Sequence, residues 1–166
     1  MAQTIEIIAN LALALSVVIA VIFGIAQVKA GERDRKERLT LETLRALNTR
    51  EFAELIHKLR IFPVPNTMEE FQASPDEQQI LFIQFGQNME SIGMMVYERY
   101  IDLALVDKTL GSYVSTMWNK YRPMILDMRE KMPDPFLSEY FQWLAERVEE
   151  RMQNSPREPY FKNPDQ

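Results

Sequence analysis

Cysteine is absent from the 166-residue chain, which excludes disulfides, thiolate zinc sites and cysteine nucleophiles and suits a domain facing a reducing cytoplasm. Histidine occurs once, as His57. A carboxylate di-metal site in a helical bundle needs histidines on facing helices, so no metal is expected. The five glycines form no phosphate-cradling loop and no serine stands in a nucleophile elbow, so no cofactor is expected either. A basic excess is also missing. Against 24 acidic residues there are 19 Lys and Arg, a net charge of −5, which argues against non-specific binding of nucleic acid or a lipid surface by the body of the chain.

What is present is a long apolar run. Ile7 to Val28 is 22 residues without Asp, Glu, Lys or Arg. At about 1.5 Å per residue it can cross a hydrocarbon core of about 30 Å. A cleavable signal peptide has a basic leader and a shorter apolar core, whereas MAQTIE carries neither Lys nor Arg, so a retained anchor is expected. Lys29, Arg33, Arg35, Lys36 and Arg38 follow at once, and the positive-inside rule puts that side in the cytoplasm. The expected layout is an anchor over 1–30 with its N terminus outside, a basic juxtamembrane helix over 31–48, a cytosolic helical bundle over 49–153 and a disordered tail over 154–166. The basic stretch serves as topology signal and as a contact with anionic head groups.

Within the run, Ala12, Ser16, Ala20 and Gly24 recur every fourth residue. Small residues at this spacing let two helix backbones approach in lipid, where packing drives association, so a homo-oligomer interface is expected there. Asn10 and Gln27 are read as reaching the head groups.

Downstream, the periodicity is helical throughout. Leu39, Leu41, Leu44 and Leu47 start an apolar stripe, Asn48 with Glu51 looks like a cap, and Phe52, Leu55, Ile56 and Leu59 share one face. Pro63 and Pro65 end that helix. Thr67 with Glu70 is a capping box, and Ser74, Pro75 and Glu77 read as cap, first helical position and N3 acid of the next helix. That helix, Pro75 to about Leu105, is apolar nearly all round and so belongs in the middle of a bundle. Gly86 and Gly93 lie seven apart on it and predict close approach of a neighbour. Asp107 is expected to cap a helix from Lys108 into Met132, kinked at Pro123. Asp134 and Pro135 are expected to open the last helix, with Phe136, Tyr140, Trp143, Leu144, Val148 and Met152 as its core stripe. The fold class is all-α: one transmembrane helix, then a bundle of about four to five helices.

The segments MESIGMMVYERYID, VDKTLGSYVSTMWNKYRPMILDMRE and YFQWLAERV occur in this order. Through Glu90, Ile92, Gly93, Trp118, Arg122, Pro123, Ile125, Arg129, Tyr140, Phe141, Leu144 and Arg147 the chain resembles a family of bacterial single-span membrane proteins catalogued only as a domain of unknown function. The resemblance covers the anchor and about two thirds of the rest, and implies an architecture with little chemistry. In layout alone the chain is also similar to the membrane-pore accessory protein of type VI-B CRISPR defence systems.

Arg50 precedes His57 with six residues between, a spacing similar to the Arg-x(4 to 6)-His of HEPN-type ribonucleases. There the histidine would handle the 2′-hydroxyl proton and the arginine would steady the phosphate. Glu51, however, stands where that pattern usually has Asn, His or Asp, and His57 reads better as a boundary or surface residue beside the Ile56 face. Glu90 sits within an apolar helix, where an unpaired carboxylate is costly, and a structural ion pair with Arg122 or Arg129 is expected. Trp118 and Trp143 read as packing residues, and Tyr97, Tyr100, Tyr113 and Tyr121 as core and rim aromatics in preference to a ligand pocket.

Two function classes follow. The first is a non-enzymatic single-pass protein of the bacterial inner membrane that self-associates through its span and presents a cytosolic interaction domain to itself or to an unidentified protein partner, a defence-linked membrane-perturbing oligomer being one form of it. The second is a membrane-tethered ribonuclease or nucleotide-sensing effector using Arg50 and His57.

Overall fold

The computed structural model describes residues 2–132, 134–156 and 160–162. Among the described residues it is all-helical, and the chain divides into two compact units, Met1–Arg38 and Leu39–Gln166. Helix α1, Ala2–Leu47, runs through the boundary without a break. In the first unit α1 is long and apolar enough to cross a membrane by length and composition, the one such helix among the described residues, and its apolar stretch is unburied.

The second unit is a helical bundle. It takes in the end of α1, then α2 (Arg50–Ile61), α3 (Met68–Ala73), α4 (Asp76–Tyr97), α5 (Leu103–Lys131) and α6 (Glu139–Asn154). Helix α6 packs against both α4 and α5, α2 against α4, and α3 against α5. The core lies where α4, α5 and α6 meet. Phe85 and Phe141 pack edge to face at 5.8 Å, Trp118 and Phe141 at 5.3 Å, and Val106, Val114, Met124, Leu144 and Val148 are fully buried around them. Such aromatic pairs add about 0.5–1.5 kcal/mol beyond their burial. On α2 the face read from the sequence packs inward through Leu55, Ile56 and Leu59, with Phe52 at its edge.

Several helix ends fall elsewhere than the sequence pattern suggests. Thr49, not Asn48, caps α2, its hydroxyl accepting from Phe52 N at 3.1 Å. Thr67 caps α3 as expected by accepting from Glu70 N, while the Glu70 carboxylate reaches back to Asn66 N at 2.7 Å. Ser74 turns backward instead of capping α4: its hydroxyl donates to Phe71 O, and Pro75 takes the N-cap position without a side-chain bond.

The largest correction concerns the end of α4. It stops at Tyr97, because Arg99 adopts a left-handed conformation with φ 63°, Tyr100 N donates to Met95 O at 2.9 Å, and Arg99 N donates to Val96 O at 3.0 Å. This is a Schellman termination, made here by arginine where glycine is usual. Helix α5 then starts five residues before Lys108, capped by Asp102, whose carboxylate accepts from Ala104 N at 2.8 Å and Leu105 N at 3.1 Å. Asp107 is no cap. It is 4% exposed within α5 and faces Arg151 Nε of α6 at 3.6 Å. Helix α5 continues through Pro123 to Lys131.

Asp134 and Pro135 likewise do not open α6. A turn intervenes, Ser138 takes φ 58°, and Phe136 is 67% exposed instead of being a core residue. The buried face of α6 is Phe141, Leu144, Ala145 and Val148. Of the tail expected to be disordered, 157–159 and 163–166 lie outside the described residues; Tyr160–Lys162 form a 3-10 turn.

Candidate functional site

A groove of about 600 Å³ opens on the second unit where the last turns of α1, helix α2 and the first half of α5 converge. Its position follows from how α1 ends. Thr40 is fully buried and its hydroxyl accepts from Asp102 N at 2.9 Å, which ties α1 to the start of α5. Asn48 N then donates to Arg45 O, and Thr49 restarts the chain as α2. Ile56 and Leu110 are buried at the floor, Leu44, Leu47 and Phe52 are half-buried along the walls, and Tyr113 is exposed at one side. Arg45, His57 and Arg60 are the basic side chains of this lining, and neither Asp nor Glu contributes.

The residues singled out for catalysis are not brought together. Arg50 opens α2 and its Nε is 2.7 Å from Glu54 Oε1, both side chains exposed. His57 lies seven positions on, about 10 Å along the helix axis. Glu54 stands three residues before His57, the spacing of a Glu-x-x-His pair, but it is engaged by Arg50, and no group of three or more metal-ligating side chains occurs among the described residues. His57 is an exposed residue at the groove. Replacing it by alanine is expected to change stability by less than about 0.5 kcal/mol, as for surface positions generally. A urea titration checks this, and a larger loss would mean that the imidazole is part of the packing.

Glu90 is not in an ion pair with Arg122 or Arg129. Its Oε2 accepts from Phe141 N at 2.6 Å, in the first turn of α6, with the Tyr140 and Glu139 amides also contributing. Ser138 supplies no side-chain cap, so a carboxylate from α4 takes that role across the helix interface. Burial pushes the Glu90 carboxyl above its usual range, and the amide hydrogen bonds oppose this. Arg129 instead holds the α5–α6 connection: its Nε donates to Leu137 O at 2.8 Å and its Nη1 to Gln142 Oε1 at 2.7 Å. Arg122 is exposed.

The tyrosines do not converge on one pocket. Tyr121 is buried with its hydroxyl pushed up to about 12 by desolvation, Tyr97 packs on Tyr140 and Trp143, Tyr100 is exposed, and Tyr113 alone lines the groove. Ala12, Ser16, Ala20 and Gly24 are all exposed on α1. The Ser16 hydroxyl donates to Ala12 O at 2.8 Å, which satisfies it within its own helix.

The groove and the trans-capped α6 belong to a helical domain that follows one long apolar helix in the sequence. The chain belongs to the family described as domain of unknown function DUF4760, whose model matches residues 14–148. No curated protein and no solved structure matches it.

Proposed function

We propose that the protein is a non-enzymatic, single-pass protein of a bacterial cytoplasmic membrane that presents its helical domain to the cytoplasm and self-associates through its span. One observation carries this reading: an apolar, wholly unburied stretch of α1 leads without a break into residues 29–38, where five basic side chains outnumber three acidic ones. A helix of that length and composition needs an apolar solvent, and the cations fix its direction. The exposed small residues Ala12, Ser16, Ala20 and Gly24 support self-association, since nothing lies within 4 Å of a Cβ built on Gly24. With the Ser16 hydroxyl satisfied internally, packing would drive the contact. The domain is the interaction module, toward itself or a protein partner, and a membrane-perturbing oligomer is one assembly of this kind.

The absence of native cysteine makes the test direct, because Gln3→Cys and Gln153→Cys variants each carry a single thiol. In intact cells a membrane-impermeant maleimide is expected to label the first, and the second only after permeabilisation. The opposite pattern would reverse the topology, and release of the protein by alkaline carbonate would remove the anchor. Native mass spectrometry of the detergent-solubilised full chain should give a discrete oligomer that becomes monomeric when Ala12, Ser16, Ala20 and Gly24 are all replaced by leucine. A monomer before substitution would end the self-association reading.

A further inference from the structure

We infer that the groove between α1, α2 and α5 is a binding site for a monoacyl lipid with a phosphate head. Charge complementarity selects the head. The chain is acidic overall, yet Arg45, His57 and Arg60 face this groove with no Asp or Glu in its lining. Elsewhere in the second unit some cations are matched to acids, as Lys58 is with Glu77, Lys131 with Glu69 and Asp127, Arg147 with Glu150, and Arg151 with Asp107, while Lys120 and Arg129 donate to backbone carbonyls. No ion pair of Arg45, His57 or Arg60 is found among the described residues. Further along α5, burial, with the neighbouring Arg60 charge adding to it, holds the Lys120 ammonium below its usual range. An arginine in the lining suits a phosphate, whose oxygens accept parallel N–H bonds from the planar donor fork of a guanidinium.

The walls select the rest of the ligand. Leu44, Leu47, Phe52, Ile56 and Leu110 make the larger part of the exposed lining apolar, beside the polar Asn48, Thr49 and Thr109, so hydrocarbon suits the part of the ligand that lies on them. A cavity of about 600 Å³ falls within the range of small-molecule sites, and its open side admits a chain lying along it. A free phosphate or nucleotide would leave this lining wet. An uncharged hydrocarbon would leave the cations without an anion. The inference does not depend on whether Ile7–Val28 crosses a bilayer.

The test uses the full-length protein in a neutral maltoside detergent, with 1-oleoyl lysophosphatidate as probe and 1-oleoyl lysophosphatidylcholine, which has the same chain and a zwitterionic head, as control. Native mass spectrometry reads bound lipid and subunit count together. Saturable binding of the lysophosphatidate is expected, at least tenfold tighter than the control, and weakened at least tenfold by Arg45→Ala with Arg60→Ala. Both arginines are exposed, so the domain should remain folded, as circular dichroism will show. Ala53→Trp, at another exposed position in the lining, should block the groove and abolish binding without removing either cation. Equal binding of the two lipids, or binding indifferent to these variants, would overturn the assignment. So would an absence of lipid binding accompanied by a change in subunit count on Ala53→Trp, which would give the groove to a second copy of the chain.

Discussion

Replacing Gly93 by alanine is expected to destabilise the helical bundle by about 3 kcal/mol, the upper part of the range for overpacked interiors. A Cβ built at Gly93 lies 2.7 Å from the carbonyl carbon of Tyr140 and closer still to its oxygen. Both obstructing atoms are backbone, in the first turn of α6, so no side-chain rotation relieves the clash and α4 and α6 must separate. That separation would loosen the edge-to-face contact of Phe85 with Phe141 and pull the first turn of α6 away from Glu90. Gly86 supplies the control. It lies seven residues earlier on the same helix, and a Cβ there meets nothing within 4 Å. Gly86→Ala should therefore be neutral or stabilise by up to about 1 kcal/mol through helix propensity. Urea titrations followed through Trp118 and Trp143 separate the two cases by the sign of the midpoint shift. A Gly93→Ala midpoint equal to wild type would mean that α4 and α6 do not approach this closely.

The two glycines also show what the sequence makes legible and what it withholds. Their spacing predicts close packing at both, yet only Gly93 is used so, because which point of a helix face meets a neighbour depends on crossing geometry that periodicity does not encode. Long, strongly periodic stretches were readable: the continuous apolar stretch of α1, the inward face of α2 and the apolar character of α4 follow directly from residue spacing. Helix ends were less so. Arg99 terminates α4 in a conformation that sequence patterns assign to glycine, and this hid the true start of α5 at Leu103. Asp107 was then the next acid available to read as a cap, although it is a buried partner of Arg151. The groove was invisible for another reason. Arg45, Arg60 and Tyr113 come from three helices and share no local motif; the only trace in the sequence is His57 beside the Ile56 face. The unexpected role of Glu90 was half legible: a carboxylate in an apolar helix demands a partner, but the sequence offered arginines and gave no sign that backbone amides of α6 would take their place.

Replacing Glu90 by alanine should cost about 2 kcal/mol, since it leaves Phe141 N and the neighbouring first-turn amides of α6 without an acceptor in a half-buried setting. Glu90→Gln keeps an oxygen at the same reach and should cost much less. The pair of variants separates hydrogen bonding from charge, and pH separates them further. Burial raises the Glu90 carboxyl above its ordinary value in the folded chain, with the Glu139 charge adding to the rise. Between the ordinary and the raised pKa the folded state holds more protons than the unfolded state, so this group's contribution is fully present below the ordinary carboxylate pKa and is lost as pH climbs through the raised one. Wild type should therefore lose stability relative to Glu90→Gln between about pH 4 and pH 7, whereas Glu90→Ala should track Glu90→Gln with a constant offset. Urea midpoints for the three proteins at the two pH values decide it. If wild type instead gained stability over Glu90→Gln as pH rose, the amides of α6 would outweigh desolvation, and the ionised carboxylate would be the favoured cap. If all three proteins were equally stable, Glu90 would not be holding the start of α6 at all.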